Sequence, residues 1–282
     1  MTAVRPIARD ELLAALRDLP PLPAVVLELV ESLGHDELSV AQYDAKISCD
    51  QALAAKILRL ANSSFYGRGR QVRSVAEAIT ILGLRMVRGV VTAASLSSSF
   101  RRYPGFDHDA FWRHSIGSAL CAQSLAGELR RDDGAQAFTV ALLHDVGRLA
   151  LASTFAPAYA EVEQWRRHRD CPDTDAEVAV LGIDHAEVGG LIAQHWNFAP
   201  SIVDAIRHHH TPPANAELTL TGIAHVADNI AHALGLAGDA DEAVPALVIP
   251  AWAACRLDDA ACMRLFAQTE AQFETLCEAL LH

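Results

Sequence analysis

Apolar residues recur along this chain every third or fourth position, the spacing of one helix face, and strict apolar-polar alternation is missing. Val25, Val26, Leu29, Val30 and Leu33 mark one such face, with Pro23 placed to open the helix and Gly34 to close it. Ser39 and Asp50 are natural N-caps for the next two helices. Ser74 with Glu77, and Thr174 with Glu177, have the three-residue separation of a capping box, while Gly83 and Gly182 stand where helices end. Further helical patterns run over about 106–129, 134–153, 157–168, 184–196, 200–209, 218–234 and 258–281. The predicted fold class is all-α. No internal repeat or low-complexity linker interrupts it, and Tyr103, Pro104 and Gly105 mark the best boundary, dividing an N-terminal helical part (1–104) from a larger remainder (105–282).

Composition narrows this reading. An apolar content of 51% excludes disorder and collagen, and 282 residues can bury a core without disulfide or metal staples. The longest apolar run, Ala243 to Cys255, carries Pro245 and Pro250 and falls short of a membrane span. The first twenty residues mix Arg5, Arg9, Asp10, Glu11, Arg17 and Asp18 with short apolar pieces, so no secretory signal is expected and the chain reads as cytoplasmic. Cys49, Cys121, Cys171, Cys255, Cys262 and Cys277 form no CxxC pair and are expected as reduced core residues. The formal charge is −12, yet Arg59 to Arg102 holds eight arginines against one acidic residue, Glu77. Such a tract can bind phosphates, a nucleotide or an acidic partner, but these arginines read rather as solvated helix faces, and Gly67-Arg68-Gly69-Arg70 lacks the Lys-Ser/Thr ending of a phosphate loop.

His-Asp occurs at His35-Asp36, His108-Asp109 and His144-Asp145, and only the third lies in a segment apolar nearly all round. Such a helix is buried. A buried Asp145 must then meet a cation, a metal or several donors. Neighbouring helical residues point about 100° apart, so further ligands must come from other helices. Candidates are His114, His185, the run His208, His209, His210, and Asp228 within an apolar stretch. Mixed imidazole and carboxylate ligation suits Mn²⁺, Fe²⁺, Zn²⁺ or Ni²⁺ better than Ca²⁺. Each residue also has a plain structural role open to it: His114 bonding a helix carbonyl, His185 following the cap Asp184, the histidine run forming an exposed helix end. Together they point to a shared polar centre, holding either metal or hydrogen bonds alone.

The segment from Asp50 to Gly67, followed by Val72 to Gly83, closely resembles the HDOD family of bacterial signalling proteins. Trp112-Arg-His114, Leu142-Leu-His-Asp-Val-Gly147, His185-Ala-Glu-Val-Gly189, Trp196 with Pro200, and His209-His-Thr-Pro212 fit the same pattern, over about 19–228. The resemblance implies an N-terminal helical part packed on an HD-like helical core. His114, His144, Asp145, His185, His209, His210 and Asp228 occupy positions similar to the metal ligands of the related HD-GYP phosphohydrolases, implying one or two divalent transition metals. Arg148 stands where those enzymes carry a phosphate-contacting lysine. The Gly-Tyr-Pro motif is missing after the histidine pair, a departure that speaks against cyclic di-GMP hydrolysis.

Two functions follow from the resemblance. The first is a non-enzymatic signalling module that acts through protein partners and whose pocket holds metal or stays empty. The second is a metal-dependent phosphohydrolase for a nucleotide or cyclic dinucleotide, with Asp145 anchoring the metals and Arg148 steadying phosphoryl oxygens. A third, weaker reading takes 39–62 as helix-turn-helix-like with Gln51 to Asn62 as recognition helix, and the overall charge opposes it. Nucleic acid and membrane are not expected partners.

Overall fold

The computed structural model describes residues 7–17, 26, 39–67, 71–100, 102–214, 217–238 and 244–281, and every regular element among them is a helix. These are α1 (Arg9–Arg17), α2 (Val40–Ser48), α3 (Gln51–Ala61), α4 (Val75–Leu82), α5 (Leu84–Ser99), α6 (His108–Glu128), α7 (Gly134–Leu143), α8 (Val146–Thr154), α9 (Ala156–Arg169), α10 (Asp173–Leu181), α11 (His185–His195), α12 (Pro200–Arg207), α13 (Leu220–Ala233), α14 (Ile249–Cys255) and α15 (Asp259–Leu281). The helix expected between Pro23 and Gly34 lies outside the described residues, apart from Val26.

Local chemistry sets the ends of these helices. Ser39 forms a capping box with Gln42, and the Asp50 carboxylate accepts from the backbone N–H groups of Ala52 and Leu53 at 2.9 and 3.1 Å. Ser74 accepts from the Glu77 N–H, but the Glu77 carboxylate reaches one residue past the cap, to the Arg73 N–H. Gly83 and Gly182 terminate α4 and α10, both at φ 79°. The Thr174–Glu177 capping box does not form. Pro172 precedes the first turn of α10, and Glu177 is fully buried with its carboxylate turned to His185 and Tyr159.

Two elements differ from the sequence pattern. The continuous helix expected over 134–153 is broken at His144-Asp145 into α7 and α8. Ile249–Cys255, inside the proline-punctuated apolar run, is helical because Pro250 falls in its first turn, where no N–H is required.

Helix α6 is central, packing on α7, α13 and α15, while α8 packs on α11, α11 on α12, and α12 on α13. The stretch 102–107 separates α5 from α6, and α15 returns to pack on α3, α5 and α6. Lys56, on the second helix of the helix-turn-helix-like pair, donates to the Leu280 carbonyl and so faces α15. All six cysteines are free: Cys121, Cys255 and Cys277 are buried as expected, Cys171 and Cys262 are partly buried, and Cys49 is exposed against expectation. No single helix among the described residues is long and apolar enough to cross a membrane.

Candidate metal centre

The break between α7 and α8 determines what the His-Asp pair can do. His144 keeps helical angles (φ −54°, ψ −37°) while Asp145 turns to φ −95°, ψ 9°, so both side chains project into one interior space. There they meet His114 from α6, His185 from the first turn of α11, His209 and His210 just past α12, and Asp228 from α13. All seven residues singled out from the sequence therefore converge. His208 stays exposed, and His108 is occupied elsewhere, accepting from the Tyr103 N–H at 2.9 Å.

The ligand atoms fall into three overlapping groups: Asp145 is shared by one with His185, His209 and His210 and one with His114 and His144, and His114 belongs also to a third with Asp228 and His232. Asp145 Oδ1 lies 3.1 Å from His185 Nε2 and 3.7 Å from His209 Nε2, and His210 Nε2 is 2.9 Å from that of His185. In the other direction Asp145 Oδ1 lies 3.6 Å from His144 Nε2, which is 3.2 Å from His114 Nε2 and 3.4 Å from Asp228 Oδ1. His114 Nε2 is 3.0 Å from the same Asp228 oxygen.

The far nitrogens are anchored. His144 Nδ1 donates to the Ala141 carbonyl at 2.6 Å, His209 Nδ1 to the Ile206 carbonyl at 2.7 Å, and His185 Nδ1 to Glu177 Oε2 at 2.7 Å. Each bond aims Nε2 at the centre, the arrangement by which metal-binding imidazoles are oriented. Glu177 is itself fixed by the His185 N–H at 2.8 Å and the Tyr159 hydroxyl at 3.1 Å. Arg148, in the first turn of α8, places Nη1 3.4 Å from Asp145 Oδ2 and Nη2 3.3 Å from Asp173 Oδ2.

Protonation follows from this crowding. Burial pushes the Asp145 carboxyl up, but His144, His185 and Arg148 outweigh it and hold the group well below the usual carboxylate range. Burial likewise raises Asp228, and His114, His144 and His232 overcome it. Burial disfavours charge on His144 and His185, yet carboxylates prevail in both, Asp145 and Asp228 raising the first and Glu177 and Asp145 the second. Burial pushes His209 well down, helped by His210 and His144, and brings His210 to about 4, helped by His185.

The donor set fits divalent cations. Buried polar atoms are ordinarily satisfied. His209 Nε2 and both oxygens of Asp228 are nonetheless buried without a hydrogen bond of good geometry, although three imidazole nitrogens lie within 3.4 Å of Asp228 Oδ1. Lone pairs converging with carboxylates, every anchored nitrogen turned away, are a donor set that a cation could satisfy. Three neighbours of this centre escape the sequence reading: Glu177, Tyr159 and His232, which lies 3.3 Å from Asp228 Oδ1.

The HDOD domain model matches residues 19–212. A solved HDOD domain protein of unknown function from Geobacter sulfurreducens superposes with a TM-score of 0.79 at 21% identity, covering 97% of this chain and 98% of that one. A Shewanella amazonensis SB2B structure, described as a candidate phosphohydrolase, gives a TM-score of 0.75 at 27% identity over 95% and 97% of the two chains. An uncharacterized protein of Treponema pallidum (strain Nichols) is 24% identical over 198 residues, 70% of this chain; the match spans only 38% of that relative's length.

Proposed function

Because the chain belongs to the HDOD domain family, we propose that it is a regulatory module of that family which retains a working two-cation phosphohydrolase centre. The observation that carries this is the position of Asp145 Oδ1, within 3.7 Å of imidazole nitrogens of both groups that share it. His114, His144 and Asp228 would hold one cation, His185, His209 and His210 the other, with Asp145 shared. Bound divalent metal would supply a water of lowered pKa and positive charge facing a phosphoryl group.

The chain's own residues account for the rest. Asp145 and Asp228 stay ionised and would offer carboxylate oxygens to the cations. The Ala141 and Ile206 carbonyls and Glu177 keep three imidazoles from rotating. Arg148, partly exposed at the rim and paired with Asp145 and Asp173, would have to exchange these contacts to meet phosphoryl oxygens. The Shewanella amazonensis relative, described as a candidate phosphohydrolase, supports the same reading.

A second reading, a signalling module that acts through protein partners with a sealed centre, is favoured by burial: His144, Asp145, His185, His209 and Asp228 are each at most 4% exposed. Elemental analysis of protein purified without chelator or nickel, beside a His144→Ala, Asp145→Ala variant, separates the possibilities when followed by assay on nucleotide and cyclic dinucleotide phosphoesters with Mn²⁺ or Fe²⁺. The expected result is about two ions per chain and turnover, both lost in the variant. Metal without turnover selects the signalling reading, and no metal in either protein overturns the centre.

A further inference from the structure

His114, Asp228 and His232 form a ligand grouping that the motif-derived set leaves incomplete. His232 follows Asp228 by one turn on α13, which places both on one helix face. Its Nε2 is 3.3 Å from Asp228 Oδ1, and its ring stacks on that of His114 with centroids 4.3 Å apart and planes inclined by 38°. One ligand atom from each of the three lies within 4.8 Å of the others, and His114 also belongs to the grouping with His144 and Asp145. His232 is the outermost, its side chain 16% exposed against 6% for His114 and 2% for Asp228.

We propose that His232 is an additional metal ligand, closing the outer side of the cation held by His114 and Asp228. The inference rests on the reading of this site as a metal centre. Transition ions of the kinds suited to this donor set accept four to six ligands, and imidazole is among the donors they favour. A nitrogen placed against Asp228 and stacked on His114 is close enough to join their shell without a change of fold. Its consequence is chemical: His232 takes a position that water or substrate would otherwise occupy, so this cation is the more saturated of the two.

The test is Co²⁺ titration of the full chain, followed by visible absorption and by competition with a chelator, comparing wild type with His232→Ala and His232→Gln. Alanine suits the helix and glutamine keeps a polar end of similar reach, so a change shared by both reports a lost ligand rather than a lost fold. The expected result is one of the bound ions weakened at least about tenfold and an altered ligand-field spectrum in both variants. Spectra and competition curves that superimpose on wild type overturn the proposal and leave the stack on His114 as packing. A wild type that takes up no Co²⁺ overturns the metal reading itself, and the role of His232 with it.

Discussion

Glu177 shows how much one buried carboxylate can determine. It is fully buried, and its two oxygens accept from the His185 ring, the His185 backbone and the Tyr159 hydroxyl. In Glu177→Gln the charge that would make His185 a better donor to metal is gone, and the imidazole loses its fixed tautomer. Outer partners of this kind are worth about 10–100-fold in metal affinity, so chelator competition should show a drop in that range. An unchanged affinity would reduce Glu177 to a packing residue. Protons should compete with metal at the same atoms. Without metal, His144 and His185 are raised, so their contribution to stability is complete below about 6.5 and is lost as pH climbs through their folded-state values. His209 and His210 are lowered and act oppositely, costing stability as pH falls below about 6.5. Metal binding must therefore expel protons from His144 and His185, and affinity should rise with pH around neutrality. Calorimetry in two buffers of different ionisation heat measures those protons, and the same heat in both would contradict the assignment. The seven residues that converge are legible because each lies in a motif and six of them are buried. Glu177 is not, since Thr-x-x-Glu has the spacing of a capping box whether or not the glutamate faces solvent.

At the scale of elements, Gly147 lets α8 and α11 approach closely enough for Asp145 and His185 to meet, and Gly189 makes room for Ile206 of α12. A Cβ on Gly147 would lie 2.0 Å from the His185 carbonyl oxygen and 2.7 Å from the Gly189 nitrogen, both backbone atoms that cannot swing aside. Gly147→Ala must push the helices apart, at a cost of about 1–3 kcal/mol for overpacking, and should weaken metal binding along with thermal stability. Gly127 is the control. A Cβ there meets nothing within 4 Å, so Gly127→Ala in the last turn of α6 should stabilise by about 0.4–1 kcal/mol. Denaturant unfolding of the two variants checks both signs, and equal effects would sink the argument. These glycines are visible in the sequence as the ends of Leu-Leu-His-Asp-Val-Gly and His-Ala-Glu-Val-Gly, but the contact that requires them is not. The break at His144-Asp145 is equally hidden, because apolar residues continue through it from Phe138 to Leu151 and helical periodicity reports faces rather than continuity.

Over the whole molecule, α15 ties the N-terminal helices to those that build the centre. Lys56 of α3 donates to Leu280, and Tyr66 reaches Gln272 at 3.5 Å. On α6, Arg113 pairs with Glu274 through two bonds of 3.2 and 2.7 Å, and Glu128 accepts two from Arg264 at 3.1 and 2.6 Å. Between these contacts Leu265, Phe273, Leu276 and Leu280 of α15 are buried. The exposed ion pairs are individually weak, so the apolar face does most of the joining. A helix that packs on both parts transmits the loss of either, and the interruption near Tyr103 should not act as a melting boundary. The apolar core does not depend on metal, so protein stripped of ions should keep its helical circular dichroism and melt in one transition. Mn²⁺ should then raise that single midpoint with concentration, by the equivalent of about 2.7 kcal/mol at a hundred times the dissociation constant. Scanning calorimetry with and without metal decides the matter. Two transitions, only one of them moved by Mn²⁺, would mean that the parts melt independently and that α15 bridges them without coupling them.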